Sequence, residues 1–181
     1  MVWTLAYTCG FAQSPVMHVK SGSLATFKEP VYINVMVDDY NPIIDGYEQK
    51  AEDYYKAKEK SAYTDFCADL MRAHKSFITY YNEKKGALKS TVGTSSDYPY
   101  TLRINVTRMN VGNAGASIFG ISHKTGGALI YGEMLLVENA TNEVLCEIEF
   151  NGVRGARSPI FNGRAISVYR YLADTLLNII Y

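Results

Sequence analysis

Apolar and polar residues alternate one for one in Val31-Tyr32-Ile33-Asn34-Val35-Met36-Val37, which puts Val31, Ile33, Val35 and Val37 on one face. A period of two predicts a strand with one side against a core. Asp38-Asp39-Tyr40-Asn41-Pro42 then ends it with turn-forming residues. Residues 46–60, GYEQKAEDYYKAKEK, are polar and predict a solvated helix or a mobile connection. After them the period changes. Tyr63, Phe66, Cys67, Leu70, Met71, His74, Phe77, Ile78 and Tyr81 recur at helical spacing and form one apolar stripe. Lys84 and Lys85 suit the C-terminal dipole of that helix, and Gly86 stops it.

The second half returns to period two. Residues 89–99 read as a polar loop. Leu102, Ile104 and Val106 then alternate with Arg103, Asn105 and Thr107. A glycine-rich connection, NVGNAGASIFGISHKTGG, leads to a strand over 128–137 in which Gly132 suggests a bulge. Asn139-Ala140-Thr141-Asn142 is turn chemistry. Beyond it, Val144, Cys146, Ile148 and Phe150 face one way, and Leu145, Glu147 and Glu149 the other, so the two strands form a hairpin. A last helix runs from Gly163 to Ile180. Ile166, Tyr169, Leu172, Ala173, Leu176 and Ile180 lie on its dry side, and Ser167, Arg170, Asp174 and Asn178 on its wet side.

The order is strand, long helix, strand, hairpin, helix, with room for an extra strand near Val16–Lys20. One-sided strands need helices on one face only. The fold class is therefore α+β, a two-layer sandwich with a mostly antiparallel sheet and both helices packed on one face.

Composition narrows the partners more than the fold. The 181 residues are 48% hydrophobic and 20% charged, which suits one globular domain. Lysine plus arginine equals aspartate plus glutamate at 18 each, so no electrostatic footprint for nucleic acid exists. The three cysteines, Cys9, Cys67 and Cys146, are too scattered for a zinc knuckle. Cys67 and Cys146 both fall on core-facing positions, as packed thiols or as a pair if their β-carbons meet.

The opening VWTLAYTCGFA is uncharged and mostly apolar, and it ends in Gly10-Phe11-Ala12 before Gln13. Small residues at the first and third places before a cut suit signal peptidase. Residues 1–12 thus read as a signal peptide and 13–181 as a single α+β domain, exported to the periplasm or cell surface. No lysine or arginine precedes the apolar run. A lipid anchor at Cys9 is the less favoured route, because Tyr7 sits where a small residue is wanted. An N-terminal strand is the remaining alternative. Within the domain, no apolar run reaches the ~18 residues that would suggest a membrane span.

Candidate chemistry is sparse. Arg154, Arg157 and Arg164 crowd a glycine-containing loop before the last helix, where guanidinium groups and helix N–H groups attract anions. The spacing matches neither the Walker loop nor the dinucleotide fingerprint, and the plain alternative is a loop with Asn162 as N-cap. Ile118, Phe119 and Ile121 are apolar for a glycine-rich loop, and they tuck under the domain or meet a partner. Asp38 and Asp39 point in different directions, which favours a turn role over a carboxylate pair. His18, His74 and His123 lie far apart, so no metal site is expected. No GxSxG elbow is present. Fifteen tyrosines, among them Tyr40, Tyr47, Tyr54, Tyr55, Tyr80, Tyr81, Tyr98 and Tyr100, suit either an interface or a core with hydroxyls at its rim.

The hairpin VENATNEVLCEIEF, the Gly/Arg loop after it and the closing helix RAISVYRYLADTLLNII resemble a group of exported bacterial domains of the Bacteroidetes type. These share the architecture of the N-terminal domain of the periplasmic protein TolB and of curli-secretion lipoproteins. The resemblance spans residues 16–181 and lies in element order rather than motif. It implies an envelope setting, protein–protein roles and no catalytic residue. The expected function is that of a non-enzymatic domain in a bacterial envelope or surface assembly, with a protein partner and no cofactor. The alternative is a small-ligand or anion-binding module centred on Arg154, Arg157 and Arg164. Oligomeric state stays open.

Overall fold

The computed structural model of the chain describes residues 16–112 and 126–181. Expectations for the opening apolar stretch, and for Ile118, Phe119, Ile121 and His123, lie outside the described residues.

The elements run β1 (Met17–Gly22), a 3-10 turn (Ala25–Lys28), β2 (Tyr32–Asp38), β3 (Ile43–Ile44), β4 (Gln49–Lys50), α1 (Ala51–Lys56), α2 (Ala62–Lys84), β5 (Thr91–Gly93), β6 (Tyr100–Asn110), β7 (Leu129–Glu138), β8 (Glu143–Arg154) and α3 (Phe161–Ile180). The main sheet is ordered β1-β8-β7-β6-β2-β5, with β3 beside β6 and β4 beside β3. β2 runs parallel to β5 and β6, because α1 and α2 carry the chain back before β5 and the 94–99 loop brings it back before β6. The β6-β7-β8-β1 run is antiparallel. The fold is α+β with helices packed on a mixed sheet.

Alternation decides the faces. Ile33, Val35, Leu102, Ile104, Met134, Leu136, Cys146, Ile148 and Phe150 point to the helices and are buried. α2 meets them with Phe66, Leu70, Ala73 and Phe77, a stripe narrower than the sequence pattern suggests: Met71 is 51% exposed and Cys67 half-buried. α3 adds Val168, Tyr169, Leu172, Leu176 and Ile180. Two bonds tie the helices together: Ser76 Oγ donates to the Ile166 carbonyl at 3.1 Å and Tyr80 Oη to Asp174 at 3.0 Å.

Three local readings change. The polar 46–60 stretch is anchored, because Ala51 and Tyr54 of α1 are buried. The 89–99 loop contains the short edge strand β5, held by Asn82, which exchanges two hydrogen bonds with the Val92 backbone. The last helix starts at Phe161, so Asn162 lies inside its first turn and Ile160 is the N-cap. Cys67 and Cys146 are both free thiols. Gly132 does sit at a bulge, where the β6 register slips between Val106 and Arg108.

Candidate functional site

With both long helices on one side, the opposite side of the sheet is uncovered except at one end, where Asn34, Thr101 and Val137 are buried. Its residues follow from the register. One rank crosses five strands: His18 (β1), Glu149 (β8), Glu133 (β7), Asn105 (β6) and Asp38 (β2). The next rank holds Ser21, Glu147, Leu135, Arg103 and Met36. Glu133 and Glu149 are directly opposed, an arrangement in which like charges destabilise a sheet. Relief is partial. Asn105 donates to Glu133 at 3.3 Å and His18 Nε2 lies 3.8 Å from Glu149. Among the described residues, neither Glu133 nor Asp38 has a cationic partner. Glu147 is paired with Lys20, which lowers its carboxyl pKa and raises that of the ammonium group. A hollow of ≈ 400 Å³ lies over Met36, Asp38, Arg103, Asn105, Glu133 and Leu135. A second of ≈ 320 Å³ shares Glu133 and adds Lys20, Tyr131 and Glu149. Met36 and Tyr32 stand 55% and 56% exposed on this face.

The loop arginines differ in burial. Arg154 and Arg157 are exposed, whereas Arg164 is 5% exposed. Arg164 donates from Nε to the Val111 carbonyl at 2.8 Å and from Nη1 to the Ser158 carbonyl at 2.7 Å. Burial lowers its pKa. Its side chain packs under Gly112, where a Cβ would lie 3.0 Å from Arg164 Cδ and 2.5 Å from the Gly126 carbonyl oxygen. A positive φ of 69° also favours glycine there. The two ends of the glycine-rich connection therefore meet at Arg164.

A third constellation escaped the sequence. Asp39, at the end of β2, is fully buried rather than part of an exposed turn. Its Oδ2 accepts from His74 Nε2 at 2.8 Å and from the Tyr169 hydroxyl, joining sheet, α2 and α3. Burial and the Asp39 charge push the Tyr169 hydroxyl well above its usual pKa. His74 also lines a hollow of ≈ 380 Å³ with Tyr40, Met71 and Ile78. Helical spacing revealed His74 and Tyr169, but not that both reach one carboxylate.

Among the described residues, no group of three or more His, Cys, Asp or Glu could hold a metal ion, and no helix is long and apolar enough to cross a membrane. No protein-family model and no curated protein matches the chain. Among solved structures it is similar to two PelC dodecamers from Paraburkholderia phytofirmans, one of them a leucine-to-methionine variant. One, in space group C2, is 10% identical with a TM-score of 0.42, covering 89% of this chain and 98% of that one. The other, in space group P6, is 11% identical with a TM-score of 0.40, covering 88% and 95%. A likeness at this level transfers neither an activity nor an assembly state.

Proposed function

We propose that the chain is a non-enzymatic exported domain that joins a bacterial envelope or surface assembly by docking a basic segment of a protein partner on its uncovered sheet face. One observation carries the docking. Glu133 and Glu149 oppose each other in the same rank as Asp38, and neither Glu133 nor Asp38 has a cation of its own among the described residues. A lysine or arginine laid along that rank relieves the repulsion and meets complementary potential. Exposed Met36 and Tyr32 and half-buried Leu135 supply apolar contact beside it. The exported setting is supported by the apolar opening ending in Gly10-Phe11-Ala12, and by the resemblance in element order to TolB-like and curli-secretion domains.

A photo-crosslinking residue placed at Met36 in the full-length protein, expressed in a bacterial host related to its source, tests this. A matched residue at Arg72 on the helix side is the control. The expected result is a discrete adduct from position 36 to a lysine- or arginine-rich segment of one protein, and none from position 72. Adducts only from position 72, only to a second copy of this chain, or from neither position would overturn the reading.

A further inference from the structure

A cleft of ≈ 610 Å³ opens at one end of the molecule, away from the sheet face. It is lined by Asp45 and Tyr47 of the β3–β4 turn, Tyr54, Tyr55 and Lys58 of α1 and its exit, Asn110 at the end of β6 and Gly112 beyond it, and Phe161 and Arg164 of α3. Its charges are unequal. Asp45, the one carboxylate lining it among the described residues, already accepts from Arg108 and Asn110 at 3.2 Å each. Lys58 and Arg164 have no carboxylate partner among the described residues.

Arg164 is the more telling of the two. It is a buried cation, which is costly without a counter-charge. It also sits in the first turn of α3, at the positive end of the helix dipole, and that turn contains no acid. Both effects favour an anion. Holding the chain at Val111 and Ser158 uses two of the guanidinium's five N–H donors, and three have no acceptor among the described residues.

The walls are aromatic. Tyr47 and Tyr54 lie with ring centroids 4.5 Å apart, Tyr54 and Tyr55 5.0 Å, Tyr55 and Phe66 4.5 Å, and Phe66 and Phe161 5.3 Å. Of these rings, Tyr47, Tyr54, Tyr55 and Phe161 line the cleft, and Phe66 backs them from the core. Tyr47, 58% exposed, leaves much of its ring open. Lys58 Nζ rests 4.0 Å from the Tyr54 ring centroid, which holds the ammonium group beside the rings.

We propose that this cleft is a binding site for a small ring-bearing anion. The ligand's carboxylate or phosphate meets the spare N–H donors of Arg164 and the ammonium of Lys58, and its ring packs on Tyr47. The site is independent of partner docking on the sheet, because no residue is shared between them.

NMR titration of the isotope-labelled full-length protein tests it, using glucuronate and phenyl phosphate as ring-bearing anions, glucose as the neutral ring and inorganic phosphate as the ringless anion. At least one ring-bearing anion is expected to shift Tyr47, Lys58, Gly112 and Arg164 resonances in saturable fashion. Glucose is expected to shift none, and phosphate to bind roughly tenfold more weakly for want of ring contact. Lys58 and Tyr47 are exposed, so Lys58→Gln and Tyr47→Ala leave the fold intact. Lys58→Gln should weaken the ring-bearing anion about tenfold, whereas Tyr47→Ala should reduce it to the level of phosphate. Shifts by a uronate alone assign a sugar acid, and shifts by phenyl phosphate alone a phosphate ester. The inference is overturned if neither probe binds, if glucose binds as well, or if both variants bind like wild type.

Discussion

Asp39 is the residue on which three layers converge. Its carboxylate takes hydrogen bonds from His74 of α2 and Tyr169 of α3 while lying at 0% exposure. Removing one donor from a buried carboxylate costs more than a typical hydrogen bond, because the acceptor is left short of partners. Tyr169→Phe should therefore destabilise the domain by about 1–3 kcal/mol, read by urea unfolding. A change within error would mean that the bond adds nothing. Tyrosines also predict alkaline behaviour. Burial pushes the Tyr81 hydroxyl up to about 12, and burial also raises Tyr169 well above its usual value. The fold keeps these protons after the unfolded chain begins to lose them near ~10. The stabilisation is complete below that value and falls away as pH rises through the folded value of about 12. Unfolding free energy should thus decline above pH ~10, and less steeply in Tyr81→Phe. An equal slope in the variant would remove Tyr81 from the account.

Among the elements, the β6–β7 pair depends on a missing side chain. A Cβ on Gly132 would lie 1.9 Å from the Asn105 carbonyl oxygen and 2.9 Å from Phe150 Cζ. Gly132→Ala must push the two strands apart at the bulge, at a cost of about 1–3 kcal/mol. That corresponds to a Tm lowered by roughly 2–4 °C per kcal/mol for a chain of this size, measurable by thermal unfolding. An unchanged Tm would show that the strands yield freely. The bulge was legible in the sequence because glycine interrupts an otherwise regular apolar run. The hairpin, β2 and both long helices were legible for the same reason: each has a periodic apolar face that the core uses. β5 was not, since three residues in a polar loop hold no period and are fixed by Asn82 from another element. Nor was the breadth of the α2 stripe. Met71 and Cys67 continue the pattern, but they lie to the side of the line of contact with the sheet. The cleft was half legible. The sequence named Arg164 together with Arg154 and Arg157, but only the fold separates it from them and sets it among Tyr47, Tyr54 and Lys58.

At the scale of the whole molecule, a neutral chain has divided its charge. The uncovered sheet face carries a rank of carboxylates, with Arg103 and Lys20 beside it, whereas the cleft beyond its end carries Lys58 and Arg164, which have no carboxylate partner among the described residues. The opposed glutamates lower the stability of the isolated domain, a cost expected where a surface serves binding rather than folding. Glu133→Gln should accordingly stabilise the free protein by roughly 0.2–1 kcal/mol in low salt. The most direct test of the docking reading reverses the charge while the crosslinking residue stays at Met36. In Glu133→Lys, Glu149→Lys protein that unfolds at the wild-type temperature or above, the adduct to a basic partner segment should disappear. The same adduct at undiminished yield would contradict the account, because the carboxylate rank would then play no part in choosing the partner.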